Sequence, residues 1–324
     1  MRSCTRRAFL KHVSVTVAAP LFNGYVPGVS AFLSQTSAPN VHFSTEPRER
    51  ISVSSYPFRE YIAGQHDARQ QSEKAASGTK MPLKDFAAHI SARFNIHRVE
   101  PWSEHFLSLE PSYLDEIRDG ARKAGSGFAN VAADGENSLY SSDAAERDRA
   151  IEFAKTWIDV AQHIGSPSVR VNIAAARNAK PDVTRVADGL KPIADHAASR
   201  NIVVHLENDN PVSEDPFFIA NVVERANSQW IHALPDFGNS LAALPPEDAY
   251  RGLDKMFPHA YAISHVKDTT TTPAKKVMEV DLERIFAMAK KHNYKGVFSM
   301  EWETAGDVYA GTSKLIAITL KNLS

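Results

Sequence analysis

From Ile51 to the C-terminus, short apolar, β-rich runs alternate with longer stretches in which apolar residues return every three or four positions. The short runs fall at 51–56, 97–100, 127–132, 168–173, 202–207, 230–236, 261–266 and 296–301. Amphipathic stretches between them include 83–90, 149–158, 186–198 and 282–289, the third with a break or kink expected at Pro192. Eight strands alternating with helices read as parallel βα units. Such units can close on themselves and remove their sheet edges, so the expected fold is an α/β, (β/α)8 barrel, with an open doubly wound sheet as the alternative. One segment, 62–80, breaks the rhythm. It lies between the first strand and first helix, is polar, lacks apolar periodicity and is long for a βα loop, so it reads as a lid or a disordered insertion.

Composition narrows the function more than the fold. The 324 residues are 43% hydrophobic and 23% charged, with a formal net charge of −1, ordinary values for a globular domain and without the basic footprint of a nucleic-acid binder. The single cysteine, Cys4, rules out an intramolecular disulfide and a multi-cysteine zinc site, so any metal must rest on histidine and carboxylates. Near the start, Thr5-Arg6-Arg7-Ala8-Phe9-Leu10-Lys11 resembles the twin-arginine export signal S/T-R-R-x-F-L-K at every defined position. The apolar stretch that follows, 13–22, is short and interrupted by Pro20, and Val29-Ser30-Ala31 offers small residues for cleavage. The expected organisation is a twin-arginine signal peptide at 1–31, a linker at 32–49 and a barrel catalytic domain at 50–324. The mature protein would be periplasmic, with no stable membrane insertion once the signal is removed and no nucleic-acid partner. A homo-oligomer is compatible with the sequence.

The chemistry gathers at the ends of the last four predicted strands. Glu207, Asp236, His265 and Glu301 each close a mostly apolar run, at spacings of 29, 29 and 36 residues, about one βα unit apiece. Residues at successive C-terminal strand ends converge above a barrel core. Three carboxylates buried together repel one another unless a positive charge sits among them. One histidine and three carboxylates around a divalent cation resolve that conflict, and so mostly oxygen a ligand set favours Mn, Mg or Co, with Zn still admissible.

These motifs resemble the xylose-isomerase-like TIM barrel superfamily (sugar phosphate isomerases and epimerases among them), over roughly residue 51 to the C-terminus. Leu206-Glu207-Asn208, Asp236-Phe237-Gly238-Asn239 and His265-Val266-Lys267-Asp268 carry the likeness. In the epimerase branch a metal is held by Glu, Asp, His and Glu at the ends of strands five to eight, the order found here. Two positions depart from ketose 3-epimerases: Asn239 stands where a histidine is usual, and Thr271 where an arginine is usual. Lys267 instead resembles the His-x-Lys-Asp of inosose-dehydratase-like members.

What the resemblance implies is a metal-dependent sugar or cyclitol isomerase or epimerase, working by proton transfer next to a carbonyl through an enediolate. Glu207 and Glu301 would move the proton while also holding metal, and Lys267 would polarise a carbonyl or assist elimination. Trp102, His105, Asn172 and Asn239 are candidate substrate contacts. Arg59 reads as a surface ion pair, His205 as packing within the barrel, and Glu100 and Glu303 as spare carboxylates without an assigned role. The alternatives are an inosose-dehydratase-like or keto-sugar lyase and a non-catalytic periplasmic sugar-binding barrel. A nucleic-acid phosphodiesterase is disfavoured by charge and by the scarcity of histidine at the matching positions.

Overall fold

The computed structural model describes residues 38–65 and 80–324. The expected signal at 1–31, the start of the 32–49 linker and most of 62–80 lie outside the described residues. The eight apolar runs form parallel strands. In chain order these are β1 (Ile51–Ser54), β2 (Arg98–Glu100), β3 (Gly127–Phe128) with β4 (Val131–Ala133), β5 (Ser168–Val171), β6 (Val203–Glu207), β7 (Ile231–Leu234) and β8 (Ile263–Val266). A hairpin of β9 (Thr269–Thr271) and β10 (Val277–Glu279) follows, then β11 (Val297–Met300). Eight α-helices are described: α1 (Leu83–Phe94), α2 (Pro111–Lys123), α3 (Ala144–Ile164), α4 (Val183–Arg200), α5 (Pro216–Ala226), α6 (Pro246–Met256), α7 (Leu282–Lys291) and α8 (Val308–Leu323).

Strand order is β3-β2-β1-β11-β8 in one sheet and β4-β5-β6-β7 in the other. Parallel bridges from Trp102 to Ala132 and from Asp236 to His265 join the two, so the sheets close into the expected barrel. The third strand is split because Asn130 turns inward, donating to Glu100 Oε1 at 2.7 Å and accepting from Ser168 Oγ at 2.7 Å. The first strand ends early, since Tyr56–Phe58 coil into a 3-10 turn around Pro57. The break expected at Pro192 is absent: α4 runs through it from Val183 to Arg200, although proline cannot donate to the carbonyl of Asp188.

Helix ends follow local chemistry. Asp143, Asp182, Asp215, Asp281 and Asp307 accept from first-turn amides. Left-handed Asn95, Gly165, Asn201 and Asn227 stop α1, α3, α4 and α5. Gly120 of α2 is required by packing, as a Cβ there would lie 2.2 Å from the Lys84 carbonyl oxygen of α1. The main apolar core joins helix and strand side chains in one cluster. Within the barrel, Ile263 points the same way as His265 two residues on. With Ala129 and Leu234 it forms a small separate apolar cluster, so polar side chains fill the layer above.

The described part of 32–49 lies against the domain: Asn40 donates its amide to Asn201, and Phe43 packs edge-on against Tyr261 at 5.1 Å. Among the described residues no helix is long and apolar enough to cross a membrane.

Candidate metal centre

The four strand-end residues meet. Glu207, Asp236, His265 and Glu301 are all buried, and each offers a donor atom within 4.8 Å of the others. His265 Nδ1 faces Glu207 Oε1 at 2.8 Å, Glu301 Oε2 at 3.2 Å and Asp236 Oδ2 at 3.9 Å. Asp236 is aimed by its own turn: Oδ1 accepts from the amides of Gly238 and Asn239 at 2.9 and 2.6 Å. Its Oδ2 is buried and accepts no hydrogen bond, with the Lys267 ammonium 3.4 Å away. Asn208 fixes the turn from the neighbouring strand, donating to the Asp236 carbonyl and accepting from its amide. A buried carboxylate oxygen without a donor, beside a histidine nitrogen and two further carboxylates, is the arrangement a divalent cation would complete. These residues fit such a cation.

Electrostatics carry the same signature. Burial pushes the Asp236 carboxyl up to about 7, against the pull of Lys267, with Glu207 and Glu301 raising it further. Burial would also raise Glu301, but His265 and Lys267 hold it well below the usual carboxylate range. Burial would lower His265, and Glu100, Glu301 and Glu207 overcome it and hold the ring well above its ordinary value. Ligation through Nδ1 requires that nitrogen to lose its proton, so metal and proton compete for this position.

Two groups outside the four candidate ligands shape the centre. Glu100, fully buried on β2, reaches across the barrel to within 3.0 Å of His265 Nε2 with both oxygens. Asn130 and Ser299 donate to Glu100 at 2.7 and 2.6 Å, so its orientation is fixed. A proton on Nε2 donated to Glu100 leaves Nδ1 for the metal position. Lys267 Nζ lies 3.0 Å from Glu301, 3.4 Å from Asp236, 2.8 Å from Glu303 and 2.9 Å from the Asn239 side-chain oxygen. Burial disfavours its charge, yet Asp236, Glu301 and Glu303 keep the ammonium protonated well above its ordinary range.

A cavity of about 330 Å³ opens above this floor, with Trp102, Arg170, Asp209, Asn239, Lys267 and Glu303 in its walls. Asn239 and Thr271, the two departures from the ketose epimerase pattern, both line it. Trp102 is tied to the wall by a 2.6 Å bond from Nε1 to Asp134. Arg170 pairs with Asp134 and lies 2.9 Å from Glu207 Oε2, off the N–H axis, an ion pair rather than a hydrogen bond. His105 sits behind Trp102, fully buried, with Nδ1 at 2.8 Å from Ser55 Oγ, and is not in the cavity wall. Asn172 is also outside that wall; it clasps the Gly135 backbone through two hydrogen bonds of 2.6 and 2.9 Å. Arg59 packs over the Tyr56 ring at the rim, 4.6 Å from its centroid. His205 is buried in the barrel and accepts from the Ala262 amide.

Sequence reasoning passed over Asp134, Arg170 and Asp209. The signal for Arg170 was present, a cation inside the apolar run Val169-Arg170-Val171. A buried arginine in a strand needs carboxylate partners.

An eight-stranded parallel barrel with four candidate metal ligands at consecutive strand ends defines the class of protein. The model of the xylose isomerase-like TIM barrel family matches residues 90–320, and the chain belongs to that family. No curated protein matches the chain in sequence. Solved structures with the same fold include a xylose isomerase-like TIM barrel protein from Mycobacterium smegmatis in complex with magnesium, 16% identical. The match covers 84% of this chain and 96% of that one, with a TM-score of 0.62. A D-allulose 3-epimerase from Methylomonas sp. is 14% identical over 87% of this chain and 100% of that one, TM-score 0.63. The 3-keto-D-glucoside 4-epimerase of E. coli is 12% identical over 84% and 98%, TM-score 0.60.

Proposed function

We propose that this protein is a divalent-metal-dependent isomerase or epimerase of a sugar or cyclitol, acting by proton transfer next to a carbonyl. The observation that carries the reading is the convergence of Glu207, Asp236, His265 and Glu301 on the floor of a polar cavity, with one carboxylate oxygen left without a donor. The names of the allulose and ketoglucoside epimerases that share the fold support it.

Glu207, Asp236, His265 and Glu301 would hold a Mn, Mg, Co or Zn ion, which would supply Lewis-acid stabilisation of the negative charge that builds as the proton leaves. The protein's own groups do the rest. Glu207 and Glu301 take and return the proton from carbons held above the floor. Arg170 beside Glu207 and Ser54, which donates to Glu301 Oε1 at 3.3 Å, set how those carboxylates present their free edges. Lys267, held by Glu303 and Asn239, offers an ammonium to a substrate oxygen as charge builds. Trp102 supplies an apolar face for a sugar ring. Lys267, together with Asn239 and Thr271 in place of the epimerase histidine and arginine, favours a keto-sugar or inosose lyase as the second reading.

The test is incubation with keto-sugars and inososes in deuterium oxide. The expected result is label entering at a carbon next to the carbonyl at a rate that depends on added metal. Loss of water from the sugar, seen by mass spectrometry, would select the lyase. Sugar that binds without label or water loss would leave a non-catalytic sugar-binding barrel.

A further inference from the structure

We infer that the cavity is built for a polyhydroxylated substrate carrying a protonated amino group, and that Asp209 receives that group. The inference rests on the sugar-site reading above and deepens it.

Charge in the wall is lopsided. Five carboxylates line the cavity, Asp134, Glu207, Asp209, Glu301 and Glu303, against two cations, Arg170 and Lys267. Both cations are already engaged. Arg170 is held between Asp134 and Glu207, and Lys267 among Asp236, Glu301 and Glu303. Neither has charge to spare for a phosphate or carboxylate, and an anion entering here would face the remaining acids. Asp209 is the opposite case. It is exposed to the cavity, and among the described residues no hydrogen bond or ion pair holds it. It also lies outside the converging ligand set. A carboxylate that lines a cavity and is left without a donor accepts one from whatever enters. The rest of the wall suits the same guest. Thr269, Thr270, Thr271 and Thr304 offer neutral hydroxyls, and Trp102 and Tyr56 offer aromatic rings, whose faces attract cations and sugar C–H groups alike. A divalent ion on the floor would offset part of the negative charge and leave Asp209 outside its ligand set.

The experiment is calorimetric titration of the Mn-loaded full-length protein with D-fructose, its 1-amino-1-deoxy and 6-amino-6-deoxy analogues, and its 1- and 6-phosphates. One of the two amines should bind about two- to fivefold more tightly than fructose, the worth of a solvent-accessible charge pair. Both phosphates should bind more weakly than fructose. In Asp209→Asn loaded with metal, the ratio of amine to fructose affinity should fall to about one. A phosphate that binds as well as fructose, amines that gain nothing at either carbon, or an amine preference retained in Asp209→Asn would each overturn the inference. In those cases metal-dependent deuterium exchange would still stand. If none of the five sugars binds the metal-loaded protein, the sugar-site reading falls and takes this inference with it.

Discussion

Under the proposed function Glu301 combines two tasks in one carboxylate, and substitution can separate them. Glu301→Gln keeps an amide oxygen that can coordinate weakly, and three other ligands remain, but it cannot accept a proton as a carboxylate does. Metal content, measured on the purified variant, should fall less than the deuterium-exchange rate, which should drop about 10²–10⁴-fold. Full metal with undiminished exchange would move the proton to Glu207 and another partner. Glu100 acts through His265 rather than on substrate. Glu100→Ala removes the acceptor of Nε2 and should weaken metal binding about 10–100-fold in a direct metal titration, with the fold retained by circular dichroism. The convergence of the four candidate ligands was legible in the sequence because each is a polar residue ending an apolar run, a pattern one strand displays by itself. The role of Glu100 was not, since it depends on a contact across the barrel with His265, far away in sequence, and Asp134 was missed as the neighbouring-strand partner that the buried Arg170 requires. Asp209 was hidden by its neighbour Glu207, whose strand-end position absorbed the signal.

At the level of elements, the eight strands and the helices at 83–90, 149–158, 186–198 and 282–289 follow from apolar periodicity. What periodicity could not show is where a polar side chain overrides it, as Asn130 does in splitting β3 from β4. The β9–β10 hairpin was hidden for a related reason: Thr269–Thr271 pairs antiparallel with Val277–Glu279 without an alternating apolar face. Its outer edge is nonetheless part of the cavity, through Thr269 to Thr271. Helix contacts also carry constraints that propensity misses. Gly120→Ala would ordinarily stabilise a helix by about 1 kcal/mol. Here the added Cβ meets the Lys84 carbonyl at 2.2 Å, so α1 and α2 must part. The expected outcome is a loss of about 1–3 kcal/mol, read as a drop in Tm of about 2–4 °C per kcal/mol. An unchanged or raised Tm would show that the two helices yield freely.

For the whole molecule, we propose export by the twin-arginine route, motivated by Arg6 and Arg7 within a full signal pattern. Replacing both with Lys should retain the protein in the cytoplasm of an expressing cell. Unchanged periplasmic delivery of the double variant would refute the route. Export in the folded state would suit a protein whose metal ligands come from strands spread along the chain, because they meet only once the barrel has closed. That closure has an unusual seam. Pro235 has no N–H to offer, so β7 and β8 are joined only at isolated bridges, and one of those pairs Asp236 with His265. The His265 amide donates to the Pro235 carbonyl, and the Phe237 amide to that of His265, both at 3.1 Å. Two of the candidate metal ligands are therefore also paired across a join made only of isolated bridges. Were an ion bound there, separation of β7 from β8 would release it and the ion would in turn hold the strands together, so metal occupancy and local breathing of the barrel would be one equilibrium seen from two sides. Amide hydrogen exchange should report it. Stripping the metal with a chelator should speed exchange at Phe237 and His265, and metal at a hundredfold excess over its Kd should slow it about 100-fold, while amides between β5 and β6 change little.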